Sequence, residues 1–111
     1  MAYPKKAAFE VLRSIAFGAI GVNYTAVGDS FSGPVRLIGI TNTTNEDLLF
    51  SDDGVNDKII IPSGSGKVFD VTANRTNQEN LLIPQGKFAY IKHNGVAPTS
   101  GSCYIECIIG E

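Results

Sequence analysis

The clearest pattern of apolar and polar positions lies in residues 48–71, where short apolar runs alternate with turn residues. The first run is Leu-Leu-Phe at residues 48–50, and it stops at a Ser-Asp-Asp-Gly sequence. Three isoleucines at residues 59–61 stop at Pro-Ser-Gly-Ser-Gly, and Val68 begins a third run. Short β-branched and aromatic runs bounded by turn residues are typical of β-strands. The region therefore predicts strand, loop, strand, turn, strand.

A period of two also marks the residues before this region. Its two faces are Val35, Leu37 and Gly39 on one side and Arg36, Ile38 and Ile40 on the other. The polar run at residues 41–45 then predicts a hairpin into the strand that begins at Leu48. A further short strand is predicted within residues 23–27, and others at residues 81–83, 87–93 and 102–109, with residues 72–80 as a surface loop.

The pattern of residues 7–20 admits two interpretations. Lys6, Glu10, Arg13 and Ser14 fit one face of a helix, whereas Phe9, Val11, Ile15 and Phe17 fit one face of a strand. Gly18 and Gly21, together with the lack of a helix cap, favour the strand. Residues 1–6 show no period and contain a Tyr-Pro pair, which is typical of an extended arm.

Length and composition indicate one all-β domain. A chain of 111 residues can bury a core without a disulfide or a metal, and 12 glycines and 5 prolines favour many short elements. About eight short strands, roughly 8 to 14 residues apart, predict a jelly-roll-like β-sandwich. We expect an extended N-terminal arm over residues 1–10 and a sandwich domain over residues 11–111.

Charge and hydropathy argue against two classes of partner. The net charge is −2 with a pI near 5.3, and the scattered lysines and arginines make no basic stripe for nucleic acid. No apolar run approaches the roughly 20 residues that cross a bilayer. Lys5 and Lys6 precede a short apolar run, but Glu10 and Arg13 interrupt it, which argues against a secretory signal. We therefore expect a protein that is made and kept in a cytoplasm, or released from one by lysis.

The acidic loop after residue 50 is the best candidate for a cation site. Asp52, Asp53, Asn56 and Asp57 place four oxygen donors within six positions, although their spacing matches no EF-hand loop. Asp and Asn also bond their own backbone in turns, and this turn interpretation is favoured. Whether Asp52, Asp53 and Asp57 bind a cation stays open at this point.

No other motif predicts an enzyme or a cofactor. The Gly-Ser-Gly-Lys sequence at residues 64–67 lacks the first glycine, the following Ser or Thr and the helix of a phosphate-binding loop. His93, the one histidine in the chain, has no nucleophile beside it in sequence. Cys103 and Cys107 lie roughly 13 Å apart on a strand, too far for a bridge of at most about 7 Å, so we expect two buried free thiols.

Several segments together resemble the small virion proteins of tailed bacteriophages. They are Ser51-Asp52-Asp53-Gly54-Val55, Ile61-Pro62, Phe69-Asp70, Asn74, Ile83-Pro84-Gln85-Gly86-Lys87-Phe88-Ala89-Tyr90-Ile91-Lys92 and Pro98-Thr99-Ser100-Gly101-Ser102-Cys103-Tyr104. In particular the chain resembles the decoration proteins, also called cement or staple proteins, on the heads of short-tailed phages. The similarity covers nearly the whole chain and rests on turn residues and strand cores.

This resemblance implies a structural protein of the outer capsid surface. It implies a jelly-roll-like sandwich, often a homodimer, that clamps neighbouring major capsid subunits after the shell has expanded. Because free strand edges and extended arms commonly join neighbours, the candidate contact residues are Tyr3, Phe9, Leu48, Leu49 and Phe50. The alternatives are a head-to-tail connector or tail component on the same scaffold, and a carbohydrate-binding module that would use exposed tyrosines.

Overall fold

The structure, a computed structural model, describes residues 7–70 and 83–110 and confirms the all-β prediction. Within these residues there are nine strands and one 3-10 turn at Phe17–Ala19, and no α-helix. The strands are β1 (Ala7–Phe9), β2 (Arg13–Ala16), β3 (Thr25–Ala26), β4 (Val35–Asn42), β5 (Leu48–Ser51), β6 (Ile59–Ile61), β7 (Gly66–Asp70), β8 (Tyr90–His93) and β9 (Ser102–Gly110). No helix in the described ranges is long and apolar enough to span a membrane.

The strands form two antiparallel sheets that pack as a β-sandwich. The first sheet has the order β1-β9-β4-β7, and β2 pairs with β9 on the same side as β1. The second sheet has the order β3-β8-β5-β6. Strand β9 is the centre of the first sheet, since it contacts β1, β2 and β4.

The core lies between the inward faces of the two sheets. Its fully buried members include Val35, Ile40, Leu48, Ile61, Ile91 and Ile105. The alternation predicted for β4 is interrupted, because a bulge between Val35 and Leu37 shifts the register. Val35, Ile38 and Ile40 therefore all face the core, although Val35 was predicted to share a face with Leu37.

Both cysteines are free and buried on the inward face of β9, as predicted. Cys103 is 0 % and Cys107 2 % exposed, and Ile105 lies between them on the same face. Burial raises the pKa of the Cys103 thiol to about 12 and that of Cys107 to about 11.

A disulfide-exchange reagent should therefore modify both thiols only after unfolding. The free energy of unfolding should also fall as the pH rises above about 9, the ordinary thiol pKa, because the unfolded thiols then ionise and the buried ones do not. Reagent titration in native buffer and in denaturant measures the labelling. Modification of either cysteine at an unhindered rate in the native protein would contradict the burial.

The hairpin predicted between β4 and β5 is wrong, because the two strands belong to different sheets. The polar run at residues 41–45 leads from the first sheet to the second, and the fully buried Asn42 amide stabilises this connection. Its Nδ2 donates to the carbonyl oxygens of Glu46 and Ile61, each at 2.9 Å. Its Oδ1 accepts from the backbone N–H and the hydroxyl of Thr44. These bonds satisfy polar groups that the crossing would otherwise bury unpaired.

Several predictions concern residues outside the described ranges. Residues 1–6, most of the predicted arm, and the loop at residues 72–80 are outside them, as are two of the three residues in the predicted strand 81–83. Ile83 forms a single antiparallel bridge with Val35. The arm was expected to extend to residue 10, but Ala7–Phe9 is a strand of the first sheet, so the sandwich begins earlier than predicted.

Candidate interaction surface

Strands β1 and β2 lie end to end along β9 and form a bent edge of the first sheet. Phe9 pairs with Ile108 and Arg13 pairs with Ile105, so four steps on this edge oppose three on β9. The extra residue reverses the alternation of inward and outward side chains. Phe9 therefore faces solvent while Ile15 is buried, and the prediction that they share one face is wrong.

This edge exposes a group of large apolar side chains, which we call the apolar edge and define as Phe9, Val11, Leu12 and Phe17. Their exposed fractions are 86 %, 84 %, 55 % and 40 %. Scattered exposed apolar residues are ordinary, but several along one edge of a sheet make that edge a candidate contact surface. Phe9 was predicted as a contact residue from the sequence. Val11 and Leu12 were missed because their exposure depends on the extra residue, and Phe17 lies after β2, in the 3-10 turn.

A buried arginine fixes the apolar edge to the sandwich. Arg13 is 7 % exposed, and its Nε donates to the carbonyl oxygen of Asp29 at 3.0 Å. Its Nη2 donates to the carbonyl oxygen of Ser30 at 3.2 Å and to the Glu10 carboxylate at 3.1 Å. The guanidinium also lies 4.9 Å from the centre of the Phe31 ring. Arg13 thus joins the edge to the loop that follows β3.

Glu10 completes this connection from the other side. Its Oε1 accepts from the Ser32 backbone N–H at 3.0 Å and its Oε2 from the Ser32 hydroxyl at 2.8 Å. The Ser32 backbone N–H, its hydroxyl and the Arg13 guanidinium hold the pKa of the Glu10 carboxyl below its usual value. The charges of Glu10 and Arg13 neutralise each other, so the apolar edge presents no net charge from this pair.

A groove of about 430 Å³ runs beside the apolar edge. It is lined by Glu10, Val11, Leu12, Arg13, Ser14, Gly28, Asp29, Ser30 and Ser32. Its lining thus combines the side chains of Glu10, Arg13 and Asp29 with three serines and two apolar residues.

The other predicted contact residues are placed differently. Tyr3 lies outside the described residues. The expectation of a free edge at Leu48, Leu49 and Phe50 is wrong, because β5 pairs with β6 on one side and β8 on the other. Leu48 and Phe50 are buried and Leu49 is half-buried.

The acidic loop between β5 and β6 folds as a set of turns, as favoured from the sequence. One Asp53 carboxylate oxygen accepts from the Ser51 hydroxyl and from the backbone N–H groups of Val55 and Asn56. These bonds, that of Ser51 first, lower the pKa of Asp53. Among residues 7–70 and 83–110, no group of three or more His, Cys, Asp or Glu side chains could hold a metal ion.

A polar network ties this loop to the outer face of the second sheet. The Tyr24 hydroxyl donates to the Asp57 carboxylate at 2.6 Å, and Lys92 Nζ lies 3.2 Å from the same oxygen. Lys92 also lies 4.8 Å from the centre of the Tyr24 ring. Burial and the Asp57 carboxylate raise the pKa of Tyr24. The network connects the segment before β3, the loop and β8, which indicates a structural role.

The remaining residues considered from the sequence do not assemble into a reactive site. His93 ends β8 and is half-buried. The Gly-Ser-Gly-Lys sequence leads into β7, which begins at Gly66. The apolar edge is thus the feature of the described residues that most resembles a functional surface.

Comparison of the chain with protein-family models, with curated proteins and with solved structures finds no match.

Proposed function

We propose that the chain is a structural virion protein that binds the outside of a phage capsid and clamps neighbouring major capsid subunits. The resemblance of its turn and strand segments to phage decoration proteins suggests this role. The observation that carries it is the apolar edge, where Phe9 and Val11 are each more than four-fifths exposed. Such a surface suits a protein that works by burying area against a neighbour. The proposal includes no catalysis and no cofactor.

The binding free energy of such a clamp is large enough to stabilise an assembled shell. A standard protein interface buries about 1,600 Å² in total. At a hundredfold excess over the dissociation constant, one bound copy stabilises the assembled shell by about 2.7 kcal/mol. Because a shell offers many equivalent positions, this contribution is repeated over its whole surface.

Heads stripped of the protein should therefore stay closed but rupture at a lower temperature than complete heads. Adding the purified protein back should restore the rupture temperature saturably. DNA release during heating measures the threshold, and quantitative gel densitometry of mature particles measures the copy number. The same heads mixed with an unrelated small β-protein serve as the control.

The copy number separates decoration from a connector or tail role on the same scaffold. Decoration requires hundreds of copies per particle, as the resemblance implies, whereas a connector requires about a dozen. A count near a dozen, or stripped heads that rupture no earlier than complete ones, would exclude decoration.

A carbohydrate-binding module is the weaker alternative. Such modules stack sugars on exposed aromatic side chains. Tyr24, Tyr90 and Tyr104 are each half-buried, and Tyr24 is already engaged with Asp57 and Lys92. Binding on a glycan array would revive this alternative.

A further inference from the structure

The central strands β4 and β9 of the first sheet carry apolar side chains on both of their faces. Their inward side chains, such as Ile38 and Ile105, belong to the core. Their outward side chains include Leu37 and Ile108, which lie directly opposite each other, and Phe9 lies opposite Ile108 from the other side. Antiparallel strands with one solvated face ordinarily alternate apolar and polar residues, whereas strands that are apolar on both faces are ordinarily covered on both. The outer face of the first sheet therefore has the composition of a contact surface.

This apolar surface continues onto the edge strand β7, where Val68 is 69 % exposed and lies opposite Gly39. The second sheet differs, because the network of Tyr24, Asp57 and Lys92 lies on its outer face. No strand or helix in the described ranges forms a third layer over the first sheet. We call this surface the first-sheet face and define it by Phe9, Leu37, Val68, Glu106 and Ile108.

Two charges of opposite sign lie on the first-sheet face without partners. Glu106 is exposed and makes no hydrogen bond or ion pair with the part of the chain that the structure describes. Arg36 lies over Gly110, since a Cβ added to that glycine would be 2.7 Å from the Arg36 Nε. This Nε is buried and has no acceptor among the described residues. Positions 106 and 110 of β9 are roughly 13 Å apart, so a complementary surface carries a basic and an acidic side chain at that separation.

The size of the first-sheet face suits a protein partner. Four strands about 4.8 Å apart make it about 19 Å wide. The nine residues of β9 make it about 30 Å long at roughly 3.3 Å per residue. The resulting area of about 570 Å² is close to the lower limit for specific interfaces, which is about 600 Å² per partner. A small molecule would leave most of this surface exposed.

We propose that the first-sheet face is the surface that binds the major capsid subunit. The partner surface is apolar at its centre, with a basic side chain facing Glu106 and an acidic one facing Arg36. Because this chain has a net charge of −2, a partner surface of net positive charge is favoured over a second copy with the same charge. This inference rests on the proposed function and specifies which face of the sandwich performs it.

The test is binding of the purified protein to stripped heads, measured by co-sedimentation. Val68→Lys adds a charge to the apolar part of the face and should raise the dissociation constant for heads at least about tenfold. Glu106→Lys should do the same, because it would place two cations opposite each other. Val55→Lys is the matched control, since Val55 is 76 % exposed but lies in the loop between β5 and β6 of the second sheet. It should bind heads as wild type does.

The outcomes separate this inference from the proposed function. Tight binding by wild type and Val55→Lys, with weak binding by the two face variants, supports the inference. Either face variant binding as tightly as wild type overturns it and leaves the decoration role intact, whereas wild type that does not bind heads overturns the decoration role itself. If Val68→Lys loses its circular dichroism spectrum, Glu106→Lys decides. A wild-type dimer in solution that both face variants dissociate would assign the face to a second copy, which overturns the capsid partner.

Discussion

Replacing Gly101 by alanine is expected to destabilise the protein by about 4 kcal/mol, a large part of the 5–15 kcal/mol typical of a folded domain. A Cβ at this position would overlap the carbonyl oxygen and carbon of Thr43 and lie 2.8 Å from the Thr44 Cα. These are backbone atoms, so no side-chain rotation relieves the overlap. The φ angle of +85° adds strain for any residue with a Cβ.

Two other glycines allow the cost of the steric overlap to be measured separately from the cost of the positive φ angle. Gly64 and Gly95 have φ angles of +71° and +88°, and a Cβ on either would meet nothing within 4 Å. Alanine at these positions should cost only about 1 kcal/mol, from the backbone conformation alone. Urea unfolding followed by circular dichroism measures all three variants. A Gly101→Ala protein as stable as the Gly95→Ala protein would show that Thr43 can move aside.

Arg13→Met should cost about 3 kcal/mol, because removing one partner of a buried ion pair leaves the other uncompensated. The carbonyl oxygens of Asp29 and Ser30 also lose their donor. Lys58→Met is the control. Lys58 is 44 % exposed, lies 3.5 Å and 3.8 Å from two aspartate oxygens and should cost less than about 1 kcal/mol. Equal losses for the two variants would contradict the structural importance of the Arg13 contacts.

The pH dependence gives a second measurement on the same pair. Because the folded pKa of Glu10 is lowered, its contribution to stability is present above the ordinary value of 4.5 and is lost as the pH falls through the folded value. In Arg13→Met the Ser32 bonds, which lower this pKa most, remain, so the folded pKa moves only part of the way back toward 4.5 and the acid-dependent loss should shrink in part. Unfolding free energies at neutral pH and below pH 4.5 test this directly.

The strands that the sequence predicts best are those with strong local patterns. The isoleucine run of β6 and the alternation Cys103, Ile105, Cys107 of β9 need no distant partner to be recognised as strands. The features that the sequence predicts poorly depend on contacts between residues that are far apart along the chain. Asn42 looked like a hairpin residue because its buried acceptor, the Ile61 carbonyl, is distant in sequence.

The apolar edge could likewise be predicted only in part from the sequence. Phe9 could be selected as exposed from its position near an arm, but the exposure of Val11 and Leu12 follows from one extra residue opposite β9. The extra residue cannot be recognised from the local sequence, because it is defined only by how β1 and β2 pair with β9. The burial of Arg13 is similarly hidden, because a charged residue is ordinarily assigned to solvent and its partners at Asp29 and Ser30 lie in a later loop.

The central position of β9 also has a kinetic consequence. Ala7 pairs with Gly110, so the first sheet closes a loop of roughly 100 residues. Chains dominated by such distant pairings fold slowly, in milliseconds to seconds. During that delay β2 has no β9 beside it, and the apolar side chains of Val11 and Leu12, between Glu10 and Arg13, are exposed. At high protein concentration, pairing of β2 with β9 therefore competes with association of incompletely folded chains through β2.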